Sequence, residues 1–147
     1  MGPIRFHTRS GVLTASRAGA EIELDFPAAP PSKIPPPDGL AEALGAPFVW
    51  TGANALGDLL VEIPDGKMVR GIEPDFVALG KLPARGVIVT AAAERRFDVG
   101  HDFVSRFFAP RVGIDEDPVT GSAHAALAVY WAERLGRNAF TALQASK

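Results

Sequence analysis

Residues 113–124 read Gly-Ile-Asp-Glu-Asp-Pro-Val-Thr-Gly-Ser-Ala-His and lead into an apolar run that ends at Leu135. The stretch reads as a polar loop that becomes a helix. Pro118 has a fixed φ and no N–H, which suits a turn or the approach to a helix. Thr120 and Ser122 are both candidate N-caps, because a side-chain oxygen can accept from an unpaired N–H of the first turn. Gly121 lets another group come close to the backbone. Over 123–135 the only charged or histidine residues are His124, Glu133 and Arg134, and Gly136 supplies a stop. A helix apolar on nearly every side is expected to be buried. Its N-terminus then opens from the core toward whatever binds at the loop. Free N–H groups and the positive end of the dipole favour an anion there.

The chain has 147 residues, one ordinary domain's worth, and 47% of them are hydrophobic, enough for a core. A net charge of −2 argues against nucleic acid and against a polybasic membrane surface. No apolar run reaches membrane-spanning length, and the first residues lack a signal-peptide core, so a cytoplasmic location is expected. There is no cysteine, which excludes disulfides, thiol catalysis and cysteine metal sites within the chain. His7, His101 and His124 are scattered without metal-ligand spacing, so no protein-held metal is expected.

Residues 4–26 read as two strands with a break at Ser10 and Gly11. In the second, Ile22, Leu24 and Phe26 fall on one side and acids on the other, the two-residue period of a half-buried strand. Prolines 30, 31, 35, 36 and 37 mark an extended linker and a domain boundary. A short helix fits 40–44. Strands are expected over 48–51, 59–63, 68–72, 86–90, 103–108 and 138–146, and a short helix over 74–82 with Glu73 and Asp75 near its start.

Several segments together carry a resemblance. They are Phe-Phe-Ala-Pro at 107–110, Gly113 with Ile114, Glu-Asp-Pro-Val-Thr-Gly-Ser-Ala-His at 116–124, Tyr-Trp-Ala-Glu-Arg-Leu-Gly at 130–136, and Gln144 to Ser146. They resemble the second-half signature of the PhzF-like phenazine-biosynthesis proteins, a family similar in fold to diaminopimelate epimerase. The resemblance implies an α+β fold of two similar halves. Each half is a curved antiparallel sheet or barrel wrapped around a central buried helix, and the active site lies in the cleft between them. On that plan, residues 1–27 match the terminal strands of a truncated first domain, 28–38 a Pro-rich linker, and 39–147 a second domain lacking its last strands. The fold is therefore expected to be incomplete, and its unpaired sheet edges would fit a homodimer or a sheet completed by a partner.

The resemblance further implies an isomerase or epimerase. Such an enzyme moves a proton on a small carboxylate-bearing metabolite by acid/base chemistry, without metal, PLP, nicotinamide or other cofactor. Relatives of the epimerase type use a pair of thiols, and the second thiol position falls near Asp117, where a carboxylate points to the PhzF-like branch. The family's proton-shuttling glutamate lies in the first half, beside a Gly-His-Ala segment. Neither has a counterpart here, so the chain by itself is expected to be inactive. The other readings are a non-catalytic carboxylate-binding or self-association module and, more weakly, a phosphate-binding protein using Thr120 to Ser122. Three neighbouring acids would repel phosphate.

Asp117 is the candidate catalytic residue, as acid/base or as an orienting carboxylate; the bland alternative is a helix-capping carboxylate. Gly121 and Ser122 are candidate substrate-binding residues through their N–H groups and the Ser122 hydroxyl. Thr120 belongs with them or holds the loop through its side chain. Of Asp115, Glu116 and Asp117, at least one should point to water. Arg106 would pair with a substrate anion or with Asp115 or Glu116. His124 reads as a satisfied core histidine, and Trp50, Tyr130 and Trp131 as core aromatics.

Overall fold

The computed structural model describes residues 2–8, 11–94, 96 and 98–147. A first sheet is an antiparallel meander of β1 (Ile4–Thr8), β2 (Gly11–Ala18) and β3 (Glu21–Asp25), three strands where two were expected. Ser10, half of the expected break, lies outside the described residues, while Gly11 opens β2 at a φ of 110°. The expected alternation is present. Register sets Ile4 and Leu24 on either side of Ala15, and Phe6 beside Leu13. The face they form is open, however, not half-buried: Ile22 is 74% exposed and Leu24 56%.

The second sheet has seven strands: β4 (Ser32–Lys33), β5 (Trp50–Ala53), β6 (Asp58–Glu62), β7 (Gly86–Ala92), β8 (Phe103–Ala109), β9 (Ile114–Asp117) and β10 (Ala142–Gln144). Their order in space is β10-β8-β7-β6-β5-β4, with β9 also paired to β8. The helices are α1 (Leu40–Leu44), α2 (Gly66–Gly71), α3 (Phe76–Lys81) and α4 (Gly121–Leu135). The α+β class and the sheet packed on a central helix are as expected. The sheet is mixed, though, where an antiparallel one was expected: β6 with β7 and β8 with β10 run parallel. A parallel pair needs a crossover, and α2 with α3 supplies one while α4 supplies the other.

Of residues 68–72, expected as a strand, 68–71 belong to α2 and Ile72 is its C-cap. The Asp65 carboxylate accepts from the Met68 N–H at 2.6 Å, a cap that stabilises a short helix by about 1 kcal/mol. Five residues show too little periodicity to outweigh it. Asp75 caps α3 in the same way through the Ala78 N–H at 2.9 Å. The Pro-rich segment is docked at two points. The Ala29 N–H donates to the Ala125 carbonyl at 3.2 Å, and Ser32 and Lys33 form an edge strand on β5, a place that prolines tolerate.

The two-residue period of the sheet separates two cores. Leu60, Ile88, Phe103 and Phe107 meet Ala123, Ala126, Leu127, Tyr130 and Trp131 of α4. Val61, Val87, Val89, Val104 and Phe108 meet Leu40, Val69 and Leu79 of the three short helices on the opposite face. α4 was expected to be buried on nearly all sides. Only its sheet-facing side is, and Ala128, Glu133, Arg134 and Leu135 are exposed. Among the described residues no helix is long and apolar enough to cross a membrane.

Candidate active site at the start of α4

The loop before α4 is more ordered than a polar loop would suggest. Its residues 114–117 form β9, which pairs with β8 across a register shift between Phe107 and Ala109. β10 occupies the other end of β8, with Gln144 opposite Ser105. The two short strands thus meet near Asp117. There the Gln144 Nε2 donates to the Asp117 carbonyl at 2.6 Å, and its Oε1 accepts from the Thr120 N–H at 2.9 Å. The Ser146 hydroxyl donates to the same carbonyl at 3.2 Å. One amide side chain therefore ties the turn on both sides.

Asp117 does not cap α4. One of its oxygens accepts from the Thr120 hydroxyl at 2.8 Å and the other from the Val119 N–H at 3.4 Å, a local turn closed by the side chain. Thr120 stands at the N-cap position, buried, but its hydroxyl is turned to Asp117 and makes no capping bond. The backbone ladder of α4 begins with the His124 N–H donating to the Thr120 carbonyl at 3.3 Å. The N–H groups of Gly121, Ser122 and Ala123 precede it. No side chain caps the helix, and uncapped N–H groups at the positive end of a helix dipole favour an anion.

Gly121 admits a close neighbour, and the neighbour is Phe26. A Cβ at Gly121 would stand 2.4 Å from the Phe26 Cζ. Ser122 is half-buried and lines a recess of about 340 Å³ with Leu13, Phe26, Leu56 and Ala125. Its Oγ lies 3.4 Å from the Arg85 Nη2. Arg85, Gln144 and Phe26 were not singled out from the sequence as site residues. Each reaches the loop across more than twenty positions, and no local pattern links them to it.

Arg106 pairs with Glu116, one of the three partners expected for it. Its Nε and Nη2 donate to the two carboxylate oxygens at 2.7 and 2.8 Å. Asp115 points to water, and His124 is satisfied through Nδ1, 2.9 Å from the Thr120 carbonyl. Tyr130 donates to Glu62 at 2.6 Å. Burial and the Glu62 carboxylate push its phenol well above the ordinary range, so it stays neutral. Among the described residues no group of three or more His, Cys, Asp or Glu side chains is placed to hold a metal ion.

Burial acts to raise the Glu116 carboxyl, but the hydrogen bonds and charge of Arg106 outweigh it, and the group sits below its ordinary 4.5. A carboxyl lowered by folding contributes stability that is fully present above its unfolded value and is lost as pH falls through the folded one. The urea midpoint is therefore expected to drop as pH falls below about 4.5, and the drop should shrink in Glu116→Gln. Equal acid sensitivity in the two proteins would show that the pair is not its source.

The family model for phenazine biosynthesis-like proteins matches residues 3–147. The chain belongs to this family. A protein of Pseudomonas aeruginosa named as an uncharacterized isomerase is 49% identical over 141 residues, which cover 96% of this chain and 52% of the relative. A second protein so named, from Halalkalibacterium halodurans, is 44% identical over 146 residues, covering 99% and 54%. The crystal structure of a PhzF-family phenazine biosynthesis protein from Enterococcus faecalis superposes with a TM-score of 0.86 at 39% identity, covering 98% of this chain and 53% of that one. The phenazine biosynthesis-like chain thus spans about half the length of the relatives it matches.

Proposed function

We propose that this chain carries the anion-binding part of an isomerase that moves a proton on a small carboxylate-bearing metabolite by acid/base chemistry without a cofactor. The observation that carries the reading is the uncapped first turn of α4 beside Asp117, whose carboxylate the Thr120 hydroxyl holds in place. A substrate carboxylate seated on the N–H groups of Gly121 and Ser122 would be stabilised as charge builds on it when the neighbouring carbon loses its proton. Asp117 is the group at hand to orient the substrate or exchange that proton. Relatives named as isomerases support the reaction class.

The test is solvent-deuterium incorporation at carbon, followed by NMR over a panel of small amino and unsaturated carboxylates. The protein is this chain completed with the unmatched half of the Pseudomonas aeruginosa relative. The family resemblance implies a main base in that other half, so exchange is expected in the completed protein and not in the 147-residue chain alone. Asp117→Asn should slow it by about 10²-fold or more. No exchange across the panel in the completed protein would sink the enzyme reading.

The second reading is a non-catalytic module that binds carboxylates or associates with itself. The open apolar face of β1–β3, carrying Ile4, Phe6, Ile22 and Leu24, favours self-association with a second copy. Sedimentation equilibrium would support it through a mass that doubles with concentration and reverts in Ile22→Lys. A monomer at all concentrations would remove it.

A further inference from the structure

We infer that Arg85 is a substrate-carboxylate anchor of this site, held ready by Asp58, and that the ligand it selects joins a carboxylate to an apolar body. The inference rests on reading the start of α4 as an anion site and names the ligand class that site takes.

Arg85 begins the entry to β7, and its backbone N–H donates to the Gly57 carbonyl at 2.7 Å, which fixes it against the tip of the β5–β6 hairpin. That tip is built around Asp58. The Asn54 side chain accepts from the N–H groups of Leu56 and Asp58, both at 3.0 Å. The Asp58 carboxylate, with no exposed surface, then receives the Arg85 Nη2 at 2.6 Å. The same nitrogen lies 3.4 Å from the Ser122 Oγ. Arg85 is therefore pinned by one nitrogen, and among the described residues Nε and Nη1 take no hydrogen-bond partner. Its side chain keeps 40% of its exposure. A planar guanidinium immobilised on one side and wet on the other is suited to a second, paired contact with a carboxylate.

The surroundings set the rest of the ligand. Ser122 links the guanidinium to the recess of about 340 Å³, whose other walls include Leu13, Phe26, Leu56 and Ala125. An anion at Ser122 and Arg85 would direct its remaining atoms onto those apolar walls. A compact, wholly polar anion would leave them uncovered.

Arg85 also has a purely structural role open to it, as the counter-ion of a buried carboxylate, and the test separates the two. Arg85→Lys keeps a cation for Asp58 but removes the planar fork. Benzoate, with benzamide as its neutral counterpart, is titrated into the 147-residue chain by NMR beside a urea melt. Benzoate is expected to bind the unaltered chain, to shift the Ser122 amide, and to bind at least tenfold tighter than benzamide. Arg85→Lys should lose about tenfold for benzoate with little change in the melt, and benzamide should be unaffected. Should Arg85→Lys unfold, Ser122→Ala carries the test, with a loss of several-fold for benzoate alone. Benzoate binding unchanged in the folded variants, or no binding to the unaltered chain, would overturn the inference. Arg85-dependent binding without any deuterium exchange in the completed protein would leave the anchor standing and remove the isomerase reading.

Discussion

Arg106→Met is expected to destabilise the chain by about 3–5 kcal/mol, the usual cost of breaking a buried ion pair from one side. Arg106 projects from β8 and is 2% exposed. Its fork spans two elements. Nε and Nη2 take both oxygens of Glu116 on β9, and Nη1 donates to the Ile72 carbonyl at 2.7 Å and, more loosely, to those of Val69 and Arg70. Val69 and Arg70 lie in the last turns of α2 and Ile72 is its C-cap; the Val69 carbonyl also accepts from the Ile72 N–H at 3.5 Å, whereas the carbonyls after it lie beyond the helical ladder. The guanidinium also lies 4.8 Å from the centre of the Phe108 ring. Methionine would fill part of the volume but leave a half-buried carboxylate without its counter-ion and the Arg70 and Ile72 carbonyls without this donor. Lysine, a point charge on a flexible stem, could not serve both elements at once. Arg106→Met with Glu116→Leu should recover part of the loss, because the stranded carboxylate is gone. About 1–3 kcal/mol should remain from the orphaned carbonyls. The check is a urea melt of all three proteins. A loss below about 1 kcal/mol in the single variant would show that Glu116 and the carbonyls find water instead.

What the sequence revealed and what it hid follow one physical division. α4 was legible from end to end because its signals are local: an apolar run, Pro118 before it and Gly136 after it. β7 and β8 were legible because a strand between two cores is mostly apolar on both faces, as 86–90 is and as 103–108 is apart from Ser105 and Arg106. Asp117, Thr120, Gly121 and Ser122 come together in space because they are adjacent in sequence. α2 was misread because its start depends on one carboxylate bonding three residues ahead. β9 was missed because its acids, 115–117, mask a backbone pairing that side-chain pattern does not report. The open face of β1–β3 was misread for a related reason. Alternation says which residues share a side and says nothing of what lies over it. The parts of the site drawn from elsewhere depend on how strands sit in the sheet. Gln144 reaches Asp117 because β9 and β10 share one edge of β8, and Arg85 reaches Ser122 because the β5–β6 tip stands beside the start of α4.

Trp131→Ala is expected to cost about 3–5 kcal/mol, the range for truncating a large buried aromatic. Trp131 lies on the sheet-facing side of α4 and is 2% exposed. Its ring stacks on Phe103 with centroids 5.8 Å apart and meets Tyr130 edge-on at 5.4 Å. Its Nε1–H donates to the Thr90 hydroxyl at 3.0 Å. Trp131→Phe separates the packing from the hydrogen bond. The Thr90 hydroxyl still donates to the Val104 carbonyl at 2.8 Å, so it loses only an incoming bond. That variant should cost about 1–2 kcal/mol. A Trp131→Phe loss equal to that of Trp131→Ala would assign the stability to the polar link and not to the aromatic stack. The effect on the site should be much smaller than the effect on the fold. Trp131 lies ten positions after Gly121, about 15 Å along the axis at 1.5 Å per residue. The first turn is fixed locally, by Phe26 against Gly121 and by Gln144 across Thr120 and Asp117. Where the Trp131→Ala protein remains folded, its benzoate affinity should stay within about threefold of the original. A tenfold fall would mean that the whole helix, and not its anchored first turn, sets the geometry of the anion site.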